Sequence, residues 1–155
     1  MGSTHRYHAR THWTGDTGLG WENYARPHTA SAPPAEPELT LTTGEAHGDP
    51  AQLNPEQLLL MAASSCQLLS FLHVAAKARV EVIEYEDEAE AEMPEDDPPT
   101  RLTRIVLRPR IVIRPGATEE RVHHLVEVAH RACYIANSLR TDVVVEPRIE
   151  YPSTG

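Results

Sequence analysis

The residues of this chain best suited to chemistry are two thiols. Cys66 lies in NPEQLLLMAASSCQLLSFLHVAAKA and Cys133 in VEVAHRACYIANSLR. Both stretches have the apolar spacing of buried helices. The two cysteines are far apart in sequence and form no local CxxC pair. Free cysteine is among the most buried residue types, so packing alone can account for both. Equally, the fold can bring them together as a redox couple. Such a couple needs one thiolate at neutral pH. An ordinary thiol, with a pKa near about 8.5, is mostly protonated there unless a cation lies nearby.

The surrounding side chains narrow the chemistry. Glu56 precedes Cys66 by ten residues, about 15 Å of rise on a straight helix. The two can meet only if a partner chain brings its own glutamate to Cys66. His73 follows Cys66 at about 10 Å along the axis, which rules out a direct Cys–His pair within this helix and argues against papain-like chemistry. His130 lies three residues before Cys133 and can neighbour it. It is read either as an imidazolium that lowers the thiol pKa or as a helix-surface histidine, and the surface histidine is the expectation. His123, His124, His130 and Cys133 cluster in sequence, but without HExxH or paired CxxC spacing, so no metal is expected. GDTGLG, from Gly15 to Gly20, precedes no helix and has no GK[ST], so it is not a phosphate loop and no cofactor is expected.

Composition sets further bounds. A chain of 155 residues fits one domain, residues 1–155, with a modest core. The formal charge is −9 with no basic tract, a poor match for nucleic acid. The longest apolar run, Leu58 to Ala63, is far short of the ~20 residues that span a bilayer, so no membrane partner is expected. MGSTHRYHAR contains no apolar signal region, and two cysteines are too few for a disulfide framework. The expected compartment is a reducing cytoplasm.

The elements that must position the thiols follow from local pattern. Tyr7 to Trp13 alternates as a half-buried strand, Gly15–Gly18 turns, and Trp21–Ala25 returns as its partner. Residues 27–37 carry four prolines and read as a loop or a partner-covered edge. Leu39–Thr42 is a short strand, followed by a loop from Gly44 to Leu53. Asn54-Pro55-Glu56-Gln57 then opens a helix: Asn54 caps it, Pro55 suits its first position and Gln57 completes a capping box. This helix reaches Lys77 or Arg79 and is apolar all round, from Leu58 through Phe71 to Val74. A helix of that kind is buried, and a second subunit is its simplest cover.

Residues 82–113 read as a long hairpin, in which Glu90 opposite Arg104 would put Glu86 opposite Arg108 and Glu84 opposite Arg110. That charged face reads as a solvated sheet surface. Thr118 caps a second helix whose buried stripe is Val122, Leu125, Val126 and Ala129, continued by Cys133. Thr141–Glu150 closes the chain as one strand. The layout is α+β with mostly antiparallel sheets.

Two stretches, NPEQLLLMAASSC and AHRACYIANSL, together resemble the OsmC/Ohr family of hydroperoxide-reducing proteins. YHARTHWTGDTGLG also looks like the opening strand and turn of OsmC-like members. The resemblance implies an OsmC-like fold, with antiparallel sheets packed around a long central helix in an intertwined homodimer. It implies that Cys66 attacks an organic hydroperoxide and becomes a sulfenic acid, and that Cys133 resolves it as a Cys66–Cys133 disulfide. An external thiol or dithiol would reset the pair. In the family, a glutamate of the NPE motif orients an activating arginine. Here that glutamate is Glu56, and Arg26 is the nearest arginine a loop can deliver, because GDTGLG carries none. Tyr134 stands where many members have proline. Two other classes stay open: a cysteine-dependent hydrolase, and a non-catalytic dimeric binding or redox-sensing protein with an apolar cleft.

Overall fold

The computed structural model describes residues 2–44 and 47–153. Glu45 and Ala46, within the expected Gly44–Leu53 loop, lie outside the described residues. The chain forms two compact units, Met1–Leu58 and Leu59–Gly155.

In the first unit, β1 (Arg10–His12), β2 (His28–Ser31) and β3 (Glu38–Leu41) form an antiparallel sheet in that order. Arg10 pairs with Ser31, and His28 with Leu41. β2 forms inside the stretch read as a loop or a partner-covered edge and is the central strand of this sheet, while Trp21–Ala25 occupies turns instead of pairing. The cause is local. The Asp16 carboxylate accepts from the Gly18 N–H at 2.7 Å and starts a short 3-10 turn, Thr17–Leu19, which lengthens the connection. The Trp13 indole then donates to the Ala25 carbonyl at 2.7 Å, so the chain beyond Ala25 returns alongside β1. The prolines flank β2 and remove no donor from its ladder. β1, read as half-buried, is exposed along its length.

The long helix α1 runs Pro55–Lys77 and opens as its sequence predicts. The Gln57 N–H donates to Asn54 Oδ1 at 2.9 Å, and the Asn54 N–H donates to Gln57 Oε1 at 3.0 Å. Two orphan donors are thereby satisfied reciprocally. At its other end Arg79 takes φ 57°, which lets the Val80 N–H reach the Ala75 carbonyl at 2.9 Å and the Arg79 N–H reach that of Ala76 at 3.1 Å. This is a Schellman closure, with Val80 and Ala75 in apolar contact beneath it.

The second unit holds the rest of α1, together with β4 (Val82–Asp87), β5 (Glu90–Glu92), β6 (Arg104–Leu107), β7 (Pro109–Ile113), α2 (Glu119–Arg131), β8 (Asp142–Val145) and β9 (Arg148–Glu150). The long hairpin is present but divided: β4 pairs with β7 and β5 with β6, both antiparallel. The expected closing strand is also divided, and its halves add in parallel, β8 to β6 and β9 to β7. The hairpin register differs by two residues from the expected one, with Glu86 opposite Arg110 and Glu92 opposite Arg104. A two-residue slip keeps every side chain on its face. Arg110 therefore still meets Glu84 (2.7 Å), and it also meets Glu150 of β9 at 2.9 Å. The charge ladder thus ties in the parallel strand as well as the hairpin.

Two apolar clusters fill this unit. One joins Phe71 and Ala75 of α1 with Ile111 and Ile113 of β7 and Val122, Val126 and Ala129 of α2. The other joins Ala63 with Ile105, Leu107 and Val143. The buried side of α1 is thus one stripe, Ala63, Gln67, Phe71 and Ala75, at i, i+4 spacing. The expectation of burial all round is corrected, since Leu69 is 64% exposed and Met61 and Leu72 are exposed too. In this chain, sheet and second helix cover one side of α1 only.

Two substitutions probe this frame by urea unfolding. Phe71→Ala is expected to cost about 3–5 kcal/mol through cavity formation, and Asn54→Ala about 1 kcal/mol. Asn54→Ala combined with Gln57→Ala is expected to cost less than the sum of the two singles, because the box is reciprocal.

Candidate functional site

The second unit brings the two thiols together. Cys66 is half-buried on α1, one residue before the stripe position Gln67. Cys133 is 2% exposed and lies just past the end of α2, not within it. The stripe Val122, Val126, Ala129 is buried as expected, and the chain leaves the helix through the Cys133 N–H bond to the His130 carbonyl at 3.2 Å. Thr118 caps α2 by accepting from the Arg121 N–H at 3.2 Å. Cys66 and Cys133 are both free thiols, and Cys66 is close enough to Cys133 to help raise its pKa.

The Cys133 environment is asymmetric. Burial pushes its thiol pKa up. The backbone of Ala136 and Ile135 works in the opposite sense, while the neighbouring Cys66 pushes it up further. The net effect is upward, so Cys133 holds its proton more tightly than an ordinary thiol.

Nearby polar groups went unread in the sequence. Tyr85 on β4 packs on Phe71 with ring centroids 5.9 Å apart, and its Oη is buried with no hydrogen-bond partner among the described residues. Burial, then the charges of Asp87 and Cys133, hold this phenol well above its usual range. Asp87 accepts from the Ser64 hydroxyl at 2.5 Å and from the Arg108 N–H at 2.6 Å. Ser64 and Asp87, with Tyr85 and Leu60, line a cleft of about 370 Å³. Its α1 side is formed by Leu60, Ser64 and Leu68. Ser64 and Leu68 each stand two residues, about 200° of turn, from Cys66. The cleft therefore opens away from that thiol. Gln67 could have been noticed as the one polar residue at i, i+4 spacing between Ala63 and Phe71. His130, read as a surface residue, is half-buried, with Nδ1 enclosed and unpartnered among the described residues.

In the first unit, Arg26 and Glu56 border one cavity of about 510 Å³, with Trp13, Tyr24 and His28 among its walls. The expected Arg26–Glu56 ion pair does not form within salt-bridge distance. The guanidinium instead donates to the Tyr24 carbonyl at 3.0 Å and to the Trp21 carbonyl, and stacks 4.0 Å from the Tyr24 ring centroid. The loop's own carbonyls and the ring face occupy it.

Fold and site define an α+β protein that pairs a half-buried helix thiol with a buried thiol behind the second helix. Residues 47–148 match the model of the OsmC-like protein family, and the chain belongs to that family. It is similar to a solved OsmC-like protein of unknown function from Vibrio cholerae, with 28% identity and a TM-score of 0.84 over 94% of this chain and 100% of that one. An organic hydroperoxide resistance protein from Elizabethkingia anophelis has 20% identity and a TM-score of 0.71 over 98% of this chain and 100% of that one. A third, an organic hydroperoxide resistance protein OsmC from Legionella pneumophila, has 19% identity and a TM-score of 0.67 over 96% of this chain and 99% of that one. At those two identities the likeness is one of fold. No curated protein matches the chain.

The raised Cys133 thiol has a consequence for stability. The folded protein holds this proton more tightly than the unfolded chain, so the stabilisation is complete below the ordinary thiol range and is lost as pH rises through and beyond it. Unfolding free energy is expected to fall as pH rises above about 8.5. In Cys133→Ser, denaturant curves from pH 7 to 10 are expected to show a shallower decline. An equal slope in the two proteins would contradict the assignment.

Proposed function

We propose that the chain is a thiol peroxidase that reduces organic hydroperoxides, with Cys66 as the attacking thiol and Cys133 as the resolving one. The observation that carries this reading is the meeting of two free thiols from distant segments, with the proton held on Cys133. Family membership and the hydroperoxide resistance proteins of like fold support it.

The chemistry balances as follows. The Cys66 thiolate attacks the distal oxygen of ROOH and the O–O bond breaks. The alkoxide takes a proton and leaves as ROH, and Cys66 is left as a sulfenic acid. Oxidation removes the negative charge beside Cys133, one of the causes that hold its proton. What remains includes the Ile135 and Ala136 N–H groups, which favour the Cys133 thiolate. Resolution is thus promoted by the step before it. Cys133 attacks the sulfenic sulfur, water leaves, and a Cys66–Cys133 disulfide forms. An external thiol or dithiol supplies two electrons to restore both thiols.

The same reading assigns Arg26 as the activating cation and Glu56 as its orienting carboxylate. The cavity they share in the first unit supports that assignment. It requires Arg26 to leave the carbonyls of Tyr24 and Trp21 when the site assembles. The working form is a cytoplasmic homodimer, supported by the exposed apolar side chains Met61, Leu69 and Leu72 on α1, which a second copy would cover.

Stopped-flow consumption of cumene hydroperoxide tests the roles. Cys66→Ser is expected to abolish turnover. Cys133→Ser is expected to complete one turnover and leave a sulfenic acid that dimedone traps at Cys66. Parent protein treated with one equivalent of peroxide is expected to give linked Cys66 and Cys133 peptides. Reaction of Cys66 no faster than free cysteine would point to a binding or redox-sensing protein instead, and turnover of esters rather than peroxides to a hydrolase.

A further inference from the structure

Gln67 is the one polar residue in the buried stripe of α1, 1% exposed between Ala63 and Phe71. Its Nε2 donates to the Val126 carbonyl of α2 at 3.3 Å, while its Oε1 is buried without a partner among the described residues. In an α-helix the Val126 carbonyl is also the acceptor for the His130 N–H. The Gln67 amide therefore meets α2 on the single turn from Val126 to His130. The other orphan on these two helices is His130 Nδ1, also buried. An amide oxygen only accepts, and an imidazole nitrogen donates in one of its tautomers. Two unpartnered groups of complementary sense thus belong to residues that share the Val126 carbonyl as a hydrogen-bond acceptor.

Their neighbours in the chain are the two thiols. Gln67 directly follows Cys66. The His130 carbonyl accepts from the Cys133 N–H at 3.2 Å. At the end of α2 the Ala132 N–H is shared between the Val128 and Ala129 carbonyls at 3.2 Å each. Closing a disulfide brings the two free sulfurs to about 2.05 Å, which draws Cys133, and the helix end that holds it, towards α1. We propose that Gln67 is a positioning residue for the disulfide step: in the oxidised protein its Oε1 accepts from the His130 imidazole, so the Gln67–His130 pair favours the disulfide over the dithiol. This rests on the thiol peroxidase reading. The reaction it biases is the loss of two protons and two electrons from the Cys66 and Cys133 thiols as the S–S bond forms, with a dithiol–disulfide couple as the electron acceptor.

The test equilibrates the full chain in dithiothreitol buffers of graded redox ratio and measures the fraction oxidised by thiol alkylation and mass spectrometry. Gln67→Met keeps side-chain length and apolar packing while removing both amide groups. It is expected to make the disulfide about tenfold easier to reduce, equivalent to about 30 mV for a two-electron couple. His130→Phe is expected to shift the equilibrium in the same direction, and the double variant no further than the larger single, because the two act as one pair. A merely structural Gln67 would change urea stability and leave the redox equilibrium where it was. A Gln67→Met equilibrium constant equal to the parent's, or additive shifts in the double variant, overturns the proposal and leaves the peroxidase reading standing. A parent protein that forms no Cys66–Cys133 disulfide at any redox ratio overturns both.

Discussion

The burial of Phe71 is the contact on which the second unit depends. It is wholly enclosed and touches the cluster that joins β7 to α2. A helix turns about 100° per residue, so seating one large side chain inward sets the rotation of its neighbours. With Phe71 inward, Gln67 one turn earlier faces α2, and Cys66, a further 100° round, comes to the rim where the chain emerges from α2. The thiol is therefore placed by packing several residues away. The same rotation leaves Leu69 and Met61 on the side of α1 that neither sheet nor second helix reaches.

Features whose partners lie within one turn were legible in the sequence. Asn54 and Gln57 satisfy each other, Thr118 caps its own helix, and Val122, Val126 and Ala129 keep one face. Each is decided by spacing alone. The pairing of β1 was not legible, because it is decided by the Trp13 indole reaching Ala25 and by the 3-10 turn that Asp16 nucleates. Both act over distances that a period-two pattern does not encode. The hairpin register slipped for a related reason. Arginines and glutamates alternating on two strands satisfy several registers equally well, and the parallel strand β9, which supplies Glu150 to Arg110, was read as a continuation of β8.

The site was legible in its thiols and less so in what surrounds them. Cys66 and Cys133 were singled out by residue type, and the family resemblance agreed with that choice. Arg26 and Glu56 do reach one cavity, but the guanidinium is held by the carbonyls of its own loop, a local competition invisible in composition. Gln67 was overlooked because a lone glutamine among apolar residues has no motif. Its meaning appears only when the carbonyl of Val126 is found opposite it.

The arrangement gives the two thiols different environments without any difference in residue type. Burial alone would hold a proton on either. At Cys133 burial is the largest cause, and the N–H groups of Ala136 and Ile135 oppose it. A neighbouring negative sulfur adds to burial, and an oxidised neutral one does not. In the proposed reaction the same residue is thus a proton holder before Cys66 reacts and a better nucleophile afterwards. That sequence of states follows from the charge of one sulfur. It needs no movement of the core beneath, whose close packing around Phe71 and Ile111 resists deformation. Any displacement is left to the segment beyond α2, where the helix hydrogen bonds are already divided. A packed stripe beside Cys66 and a helix end at Cys133 would suit the proposed reaction, in which the attacking thiol stays and the resolving thiol comes to it.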